Sequence, residues 1–285
     1  MKNTIINDII TNRGSDRKME KVIAVSTNKG GVLKTSITTN LAGVLAREGK
    51  KVLIIDTDNQ GNAAITFGKN PDNYEVTLYD VLLDGIHPNK AIQNLYENID
   101  ILPSNDDMGF FEFDVVSQLN KYNDPLNLLK IAIDLIKENY DVIIIDCPPN
   151  LGLVLGNVLK VSNEVVIPFQ PEVYSMRSLQ KILKQISDFK VQHNPSLKVS
   201  GVIGTLVDGR SSLHSQILQE CRRFCFEKDI TMFETIIPKS VRFANAVAYE
   251  KLPAILVENR TNNLINAYYD LYEEVFNRWP EKTEA

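Results

Sequence analysis

Three short runs of apolar, largely β-branched residues constrain what this 285-residue chain can fold into. The runs occupy residues 21–26, 51–56 and 141–146, and stretches with helical spacing of apolar residues separate them. Parallel strands that are buried on both faces have this composition. Strands that alternate with helices predict an α/β fold, with a single doubly wound, mostly parallel sheet flanked by helices. We expect this domain to occupy residues 21–285, behind an N-terminal helical arm and tether at residues 1–20.

A loop with two lysines links the first strand to the helical pattern that follows it. The loop reads Ser-Thr-Asn-Lys-Gly-Gly-Val-Leu-Lys-Thr-Ser over residues 26–36. The N–H groups and the dipole of a helix N-terminus attract anions, and paired glycines let the backbone approach phosphate oxygens. A Lys-Thr pair at this place predicts a nucleotide with its Mg²⁺. The residues of the predicted phosphate site are Lys29, Gly30, Gly31, Val32, Leu33, Lys34, Thr35 and Ser36.

The loop departs from the standard phosphate-binding pattern Gly-x4-Gly-Lys-[Ser/Thr]. Asn28 and Leu33 stand where that pattern has its glycines. The deviant pattern Lys-Gly-Gly-x-x-Lys-[Ser/Thr] is met in full. Because a leucine at positive φ is strained, we expect an ordinary negative φ at Leu33.

Acidic residues follow the other two apolar runs. Asp56 and Asp146 end their strands, and Asp58 lies two residues beyond the first of them. A carboxylate at the carboxyl end of a parallel strand points into the crevice where such sheets bind ligands. Asp146 is placed to hold Mg²⁺ directly or through water, and Asp56 to help organise the metal shell. The predicted metal site therefore consists of Thr35, Asp56 and Asp146.

On these residues the chain resembles the ParA-type plasmid and chromosome partition ATPases of the MinD/ParA class, from about residue 21 to residue 275. Residues 58–62 resemble the family's Asp-Pro-Gln-Gly-Asn segment, with Asn59 in place of proline. Residues 235–242 resemble the segment that partly encloses the adenine, which adds Pro238 to the expected nucleotide site. The resemblance implies ATP and Mg²⁺ as cofactors and hydrolysis of ATP to ADP and phosphate.

The resemblance also implies a role for each catalytic residue in an ATP-dependent homodimer. Lys29 would cross to the partner's nucleotide and neutralise charge on its phosphates, as an arginine finger does. Asp58 would orient the attacking water, and Lys34 would stabilise developing negative charge. A centromere-binding, ParB-like partner would stimulate hydrolysis. Such a protein is cytoplasmic, and it associates with the nucleoid when it is bound to ATP.

The distribution of charge bears on nucleic-acid binding more than the total does. The net charge is −5, yet residues 177–251 carry twelve Lys/Arg and seven Asp/Glu. Solvated helix faces explain most charge runs, whereas the family resemblance implies a nonspecific DNA surface that dimerisation doubles. The candidate DNA contacts are Lys181, Lys184, Arg210, Lys239 and Arg242.

Other functions stay open at this point. A cell-division-site ATPase of the MinD branch would need a membrane-binding helix, and the acidic polar face of residues 263–284 disfavours that. The tyrosines of this segment resemble the tyrosine cluster of bacterial tyrosine kinases, although core packing explains such a stripe better. A scaffold with an inactive site is a third alternative. The tyrosines are Tyr268, Tyr269 and Tyr272.

The three cysteines fit a reducing compartment and carry no predicted metal site. Cys221 and Cys225 lie four residues apart on a predicted helix, without a matching cluster of His or Cys. We expect buried structural thiols. No apolar run approaches the length that a membrane span needs, so we expect no membrane partner.

Overall fold

A computed structural model describes residues 21–258 and 263–276, and within these residues eight strands form one sheet. The strand order is β3-β4-β2-β5-β1-β6-β7-β8. Among the described neighbours, β3 and β4 pair antiparallel and the others pair parallel. The strands are β1 (Lys21–Val25), β2 (Val52–Asp56), β3 (Gln93–Tyr96), β4 (Ile99–Leu102), β5 (Val142–Asp146), β6 (Glu164–Phe169), β7 (Lys198–Val207) and β8 (Met232–Pro238).

Helices connect the strands and cover both faces of the sheet. The α-helices are α1 (Lys34–Arg47), α2 (Asn62–Thr66), α3 (Leu78–Leu83), α4 (Phe111–Ser117), α5 (Leu128–Asp134), α6 (Leu153–Val161), α7 (Ser175–Gln192), α8 (Ser212–Glu227), α9 (Val241–Asn245), α10 (Ala254–Val257) and α11 (Asn263–Phe276). A π-helical turn, Ala246–Glu250, follows α9. Short 3₁₀ turns are Pro71–Asn73, Pro88–Lys90, Asp106–Gly109, Leu119–Lys121, Pro125–Asn127 and Lys137–Asn139.

Every residue of the central strands β1, β2 and β5 is buried, as their apolar composition predicts. Alternate residues of a strand face opposite sides of the sheet, so two separate cores form. Val22 and Ala24 pack in the core beneath α6, α7 and α8, whereas Ile23 and Val25 pack beneath α1 and α11. The predicted doubly wound α/β fold is confirmed. The predicted arm at residues 1–20 lies outside the described residues.

The last helix packs against the helix that follows the phosphate loop. Tyr268 is fully buried in α11, and its hydroxyl lies 2.9 Å from the Ser36 hydroxyl in α1. Tyr269 is also buried, and its hydroxyl accepts a hydrogen bond from Arg47. The interpretation of this tyrosine stripe as core packing is therefore confirmed. None of the described helices is both long and apolar enough to span a lipid bilayer.

The cysteines are buried thiols, as expected. Cys147, Cys221 and Cys225 are all free and at most 1% exposed. In the part of the chain that the structure describes, no group of three His, Cys, Asp or Glu side chains could hold a metal ion. The two thiols of α8 therefore belong to the packing of that helix against the sheet.

Strand register brings the predicted site residues to one edge of the sheet. Val25 and Asp56 are both the register partners of Asp146, one on each side of β5. On the other side of β1, the Ser26 N–H donates to the carbonyl of Val166 in β6. The segments that follow β1, β2, β5 and β6 therefore meet at the carboxyl edge.

Candidate nucleotide and metal site

The inner lysine of the phosphate loop is buried and faces the loop itself. Its amine donates a hydrogen bond of 3.1 Å to the carbonyl oxygen of Lys29. Burial lowers the pKa of Lys34 below its usual value, and the nearby charge of Asp146 opposes this shift. A cation held in a partly desolvated loop at a helix N-terminus is a strong attractor for phosphate oxygens.

The expectation of a negative φ at Leu33 was wrong. The residue has φ 70° and ψ 26°, so it is left-handed, as is Gly31 at φ 72°. Its carbonyl accepts the hydrogen bond from the Ile37 N–H that begins α1, so the chain must turn into the helix at this residue. The left-handed conformation costs roughly 1–2 kcal/mol for a residue with a Cβ atom. The leucine side chain packs against the core around α1, which offsets part of that strain.

A threonine and a buried carboxylate meet at the start of α1. The Thr35 hydroxyl donates a hydrogen bond of 2.6 Å to Asp146, and the Thr38 hydroxyl lies 3.4 Å from the other carboxylate oxygen. Burial raises the pKa of Asp146, while the hydrogen bond from Thr35 and the charge of Lys34 oppose the rise. Hydroxyl and carboxylate oxygens are the ligands that Mg²⁺ prefers. This pair therefore fits the predicted metal.

Asp56, the other carboxylate of the predicted metal site, hydrogen-bonds the backbone of the loop after β2. Asp56 is fully buried, and its two oxygens accept hydrogen bonds of 3.0 Å from the N–H groups of Asp58 and Ala63. Burial and the neighbouring charge of Asp146 raise its pKa well above the usual range. The contacts of Asp56 hold the segment that carries Asp58. The Asp58 carboxylate in turn accepts a hydrogen bond from the Gln60 N–H.

These segments enclose a cleft of about 570 Å³. The phosphate loop from Gly30 to Ser36 forms one wall, and residues 58–60 form another. Sequence reasoning missed several further lining residues. Phe243 in α9 and Val247 in the π-helical turn close the cleft from a distant part of the chain, and no motif marks them. Asn59, Gln60 and Asn62 also line the cleft, and they belong to the 58–62 segment that resembles the family. The other lining residues outside the predicted site are Thr39, Asn40, Ile65, Thr66, Pro149, Phe243 and Val247.

Four predicted site residues lie outside the described lining of this cleft. Two of them, Asp56 and Asp146, are buried at the ends of their strands. Pro238 ends β8 and pairs with Val207 across the sheet. Lys29 points toward the loop before α7, where its amine lies 2.5 Å from a carboxylate oxygen of Glu172. The same amine donates a longer hydrogen bond of 3.4 Å to the Ser175 hydroxyl. The outer lysine of the loop therefore contacts its own subunit in this structure.

The candidate DNA residues form two groups. Arg210 follows β7, and Lys239 and Arg242 follow β8, so these three lie on neighbouring segments at the carboxyl edge. The N–H of Lys239 donates to the carbonyl of Val207, which fixes the two segments together. We call Arg210, Lys239 and Arg242 the basic edge. Lys181 and Lys184 lie apart from it, along the exposed side of α7.

Comparisons with known proteins identify the family. Residues 20–199 match the family model described as AAA domain. The chain is 36% identical over 258 residues to the sporulation initiation inhibitor protein Soj of Bacillus subtilis, across 90% of this chain and 98% of that protein. It is 34% identical over 263 residues to the chromosome partitioning protein ParA of Myxococcus xanthus, across 90% and 88%. The chain belongs to the ParA family of partition ATPases.

Solved structures share the architecture of this ParA-family chain. One is cobyrinic acid a,c-diamide synthase from Mycobacterium smegmatis with bound ATP analog and magnesium. It has a TM-score of 0.78 and 28% identity, and the match covers 93% of this chain and all of that one. A plasmid partition protein from Borrelia burgdorferi has the same fold, with a TM-score of 0.71 and 23% identity over 92% of this chain and all of that one.

Proposed function

We propose that this chain is a Mg²⁺-dependent ATPase that partitions DNA. Its ATP-bound sandwich dimer binds nonspecific DNA, and hydrolysis, stimulated by a centromere-binding, ParB-like partner, releases it. The observation that carries the proposal is the contact of 2.6 Å between Thr35 and Asp146, beside the buried amine of Lys34. This arrangement joins a phosphate attractor and a pair of metal ligands where the phosphate loop enters α1.

The donor set supports ATP with Mg²⁺ as the cofactors. Thr35 and Asp146 supply a hydroxyl and a carboxylate 2.6 Å apart, and the structurally similar synthase was solved with an ATP analog and magnesium. Bound Mg²⁺ would neutralise charge on the phosphates. Lys34 would bind the β- and γ-phosphates, and the free N–H groups of residues 30–36 would surround them.

Asp58 and Lys29 complete the proposed reaction. Asp58 would orient the water that attacks the γ-phosphate, because it lines the cleft and is only partly buried. The Lys29 side chain would release its contact within its own subunit and reach the nucleotide bound to the partner. This contact would stabilise the pairing of ATP-bound subunits. The proposed homodimer therefore brings two clefts face to face.

Pairing would also double the number of basic residues that one DNA molecule contacts. The basic edge lies at the same carboxyl edge as the cleft, so two subunits that pair through their clefts would bring both basic edges to one assembly. Counterion release then makes the affinity rise steeply on pairing and fall steeply with salt. We place the dimer in the cytoplasm, on the nucleoid while ATP is bound.

Hydrolysis measured with and without nonspecific DNA and a candidate partner tests the proposal. We expect slow ATP turnover by the chain alone and faster turnover when both are added. Asp58→Ala should bind ATP, fail to hydrolyse it, and stay on DNA as a dimer. Asp84→Ala, an exposed acid distant from the cleft, is the matched control and should behave as the wild type. Absence of turnover under every condition would indicate a scaffold with an inactive site.

A further inference from the structure

The outer lysine of the phosphate loop is held by a small polar group within its own subunit. We call Lys29, Glu172 and Ser175 the lysine clasp. The Lys29 amine lies 2.5 Å from one carboxylate oxygen of Glu172 and 3.4 Å from the Ser175 hydroxyl. Lys29 is not among the described residues that line the nucleotide cleft, so this contact is separate from the cleft.

The fold brings these residues together across 143 positions of sequence. Because β1 and β6 are parallel neighbours, the segments that follow them leave the sheet side by side. The Ser26 N–H already donates to the carbonyl of Val166 where the two strands end. Lys29 comes three residues after that bond, and Glu172 comes three residues after the end of β6. The topology therefore fixes the two segments as neighbours.

Hydrogen bonds that do not involve Lys29 position the carboxylate of the clasp. The Gln170 side chain donates a hydrogen bond of 2.7 Å to one Glu172 oxygen and leaves the other oxygen to Lys29. The Glu172 N–H donates to the Ser175 hydroxyl, and the Ser175 N–H donates to the Glu172 carbonyl. These bonds form a tight turn before α7. The turn and the Gln170 side chain therefore hold the Glu172 carboxylate in place.

The clasp is nonetheless accessible and weak. The side chains of Lys29 and Glu172 are 28% and 50% exposed, so solvent screens their attraction. The next two residues, Val173 and Tyr174, are large, apolar, and 68% and 81% exposed. An exposed ion pair contributes little to folding, so a role in setting the position of the lysine fits better than a role in stability.

We propose that Glu172 retains Lys29 within its own subunit until the phosphates of a partner-bound ATP compete for it, so that the clasp sets how readily ATP pairs two subunits. This inference rests on the crossing role of Lys29 in the proposed function. The phosphates of ATP carry more negative charge than a carboxylate does, and those of ADP carry less than those of ATP. In a two-fold dimer both clasps open together, so their effects on pairing add.

Glu172→Gln tests the clasp, because it keeps the size of the side chain and removes its charge. With ATP present, we expect the variant to dimerise roughly tenfold more tightly than the wild type, from the loss of two exposed ion pairs. The difference should shrink as salt is raised, since salt already weakens the pair in the wild type. Nucleotide affinity of the monomer and the melting temperature should not change. Sedimentation with ATP, and separately with ADP, gives the dimer dissociation constants.

Two further variants complete the experiment. Glu172→Asp keeps the charge and should dimerise as the wild type does. Glu227→Gln removes the carboxylate of a comparable exposed pair, with Arg223 at 2.9 Å on α8, and should have no effect on dimerisation. Equal or weaker dimerisation of Glu172→Gln would overturn the clasp. A tenfold gain that Glu227→Gln reproduces would also overturn it.

The outcome separates the clasp from the function on which it rests. If Lys29→Ala abolishes ATP-dependent pairing while Glu172→Gln pairs as the wild type, the clasp alone is wrong. If Lys29→Ala still pairs normally with ATP, the crossing lysine is wrong and the clasp falls with it. When Glu172→Gln is combined with Lys29→Ala, it should no longer increase dimerisation, because the carboxylate acts only through Lys29.

Discussion

The nucleotide cleft and the basic edge lie on the same edge of the sheet and differ in how firmly their charges are held. At the nucleotide site, Lys34 and Asp146 are buried, and each hydrogen-bonds a specific group of the loop or of α1. At the basic edge, the Arg210 side chain is 92% exposed, and its ion pair is with Asp208, two residues away. Exposed pairs of this kind contribute little, whereas a buried charge must be matched. The cleft is thus a fixed site, and the basic edge is an adaptable surface.

The largest expected effect is in the cleft. Lys34→Ala should weaken ATP binding about 100-fold, because it removes charge-assisted hydrogen bonds of about 1.5–3 kcal/mol each to the phosphates. Titration calorimetry measures the change. Lys184→Ala removes an exposed lysine of α7 and should bind ATP as the wild type does. If the ATP affinity of Lys34→Ala stayed within about twofold of the wild-type value, the cleft would not be a fixed phosphate site that differs from the basic edge.

Substitutions in the basic edge should change the affinity for DNA and leave the affinity for ATP unchanged. The double variant Arg210→Glu, Arg242→Glu should lose at least about tenfold in affinity for nonspecific DNA, with a shallower salt dependence and unchanged ATP affinity. Fluorescence anisotropy across a salt series measures both quantities. Lys137→Glu reverses a charge at the opposite edge of the sheet, in the turn before β5, and serves as the control. An equal loss in the control would mean that DNA binding is not localised to the basic edge.

A buried hydroxyl should matter more than an exposed one. Tyr268→Phe removes the hydroxyl that lies 2.9 Å from Ser36, and should lower the free energy of unfolding by about 1.5 kcal/mol. The corresponding fall in melting temperature is about 3–6 °C for a domain of this size. Tyr249→Phe changes a tyrosine that is mostly exposed and should leave stability unchanged. Equal melting temperatures for the two variants would show that the contact between α1 and α11 contributes nothing.

The smallest expected effect tests the strain at the left-handed leucine. Leu33→Ile keeps the volume but adds a branch at Cβ, which crowds the backbone further at φ 70°. We expect a loss of about 1 kcal/mol in the free energy of unfolding. Leu213→Ile makes the same exchange inside the regular helix α8 and should cost less. A larger loss for Leu213→Ile in thermal unfolding would argue that the loop tolerates the branched residue without strain.

The same contrast explains what the sequence could predict. Strands β1, β2 and β5 were predictable because burial on both faces forces a continuous apolar run, and Asp146 because it ends such a run. Contacts between distant segments were not predictable. Phe243 and Val247 reach the cleft from beyond β8, and the φ of Leu33 depends on the path by which the loop enters α1. The contact of Glu172 with Lys29 depends on the position of β6 beside β1, which no sequence pattern specifies.

The grouping of exposed charged residues into surfaces is the least predictable feature of the molecule. Water solvates exposed charged side chains equally well in many arrangements. Their spacing in the sequence therefore does not determine which of them share a surface. Charge alone groups Lys181 and Lys184 with Arg210 in the sequence, whereas in the structure the two lysines lie on α7. Their role in DNA binding stays a prediction.

Sedimentation of Lys29→Ala with saturating ATP tests the central claim most directly. The account predicts that the variant monomer binds ATP with wild-type affinity, because the amine of Lys29 contacts Glu172 and not the cleft. It also predicts that ATP no longer produces a dimer, while the wild type dimerises with ATP and stays monomeric with ADP. Dimerisation of Lys29→Ala with ATP at the wild-type dissociation constant would contradict the account.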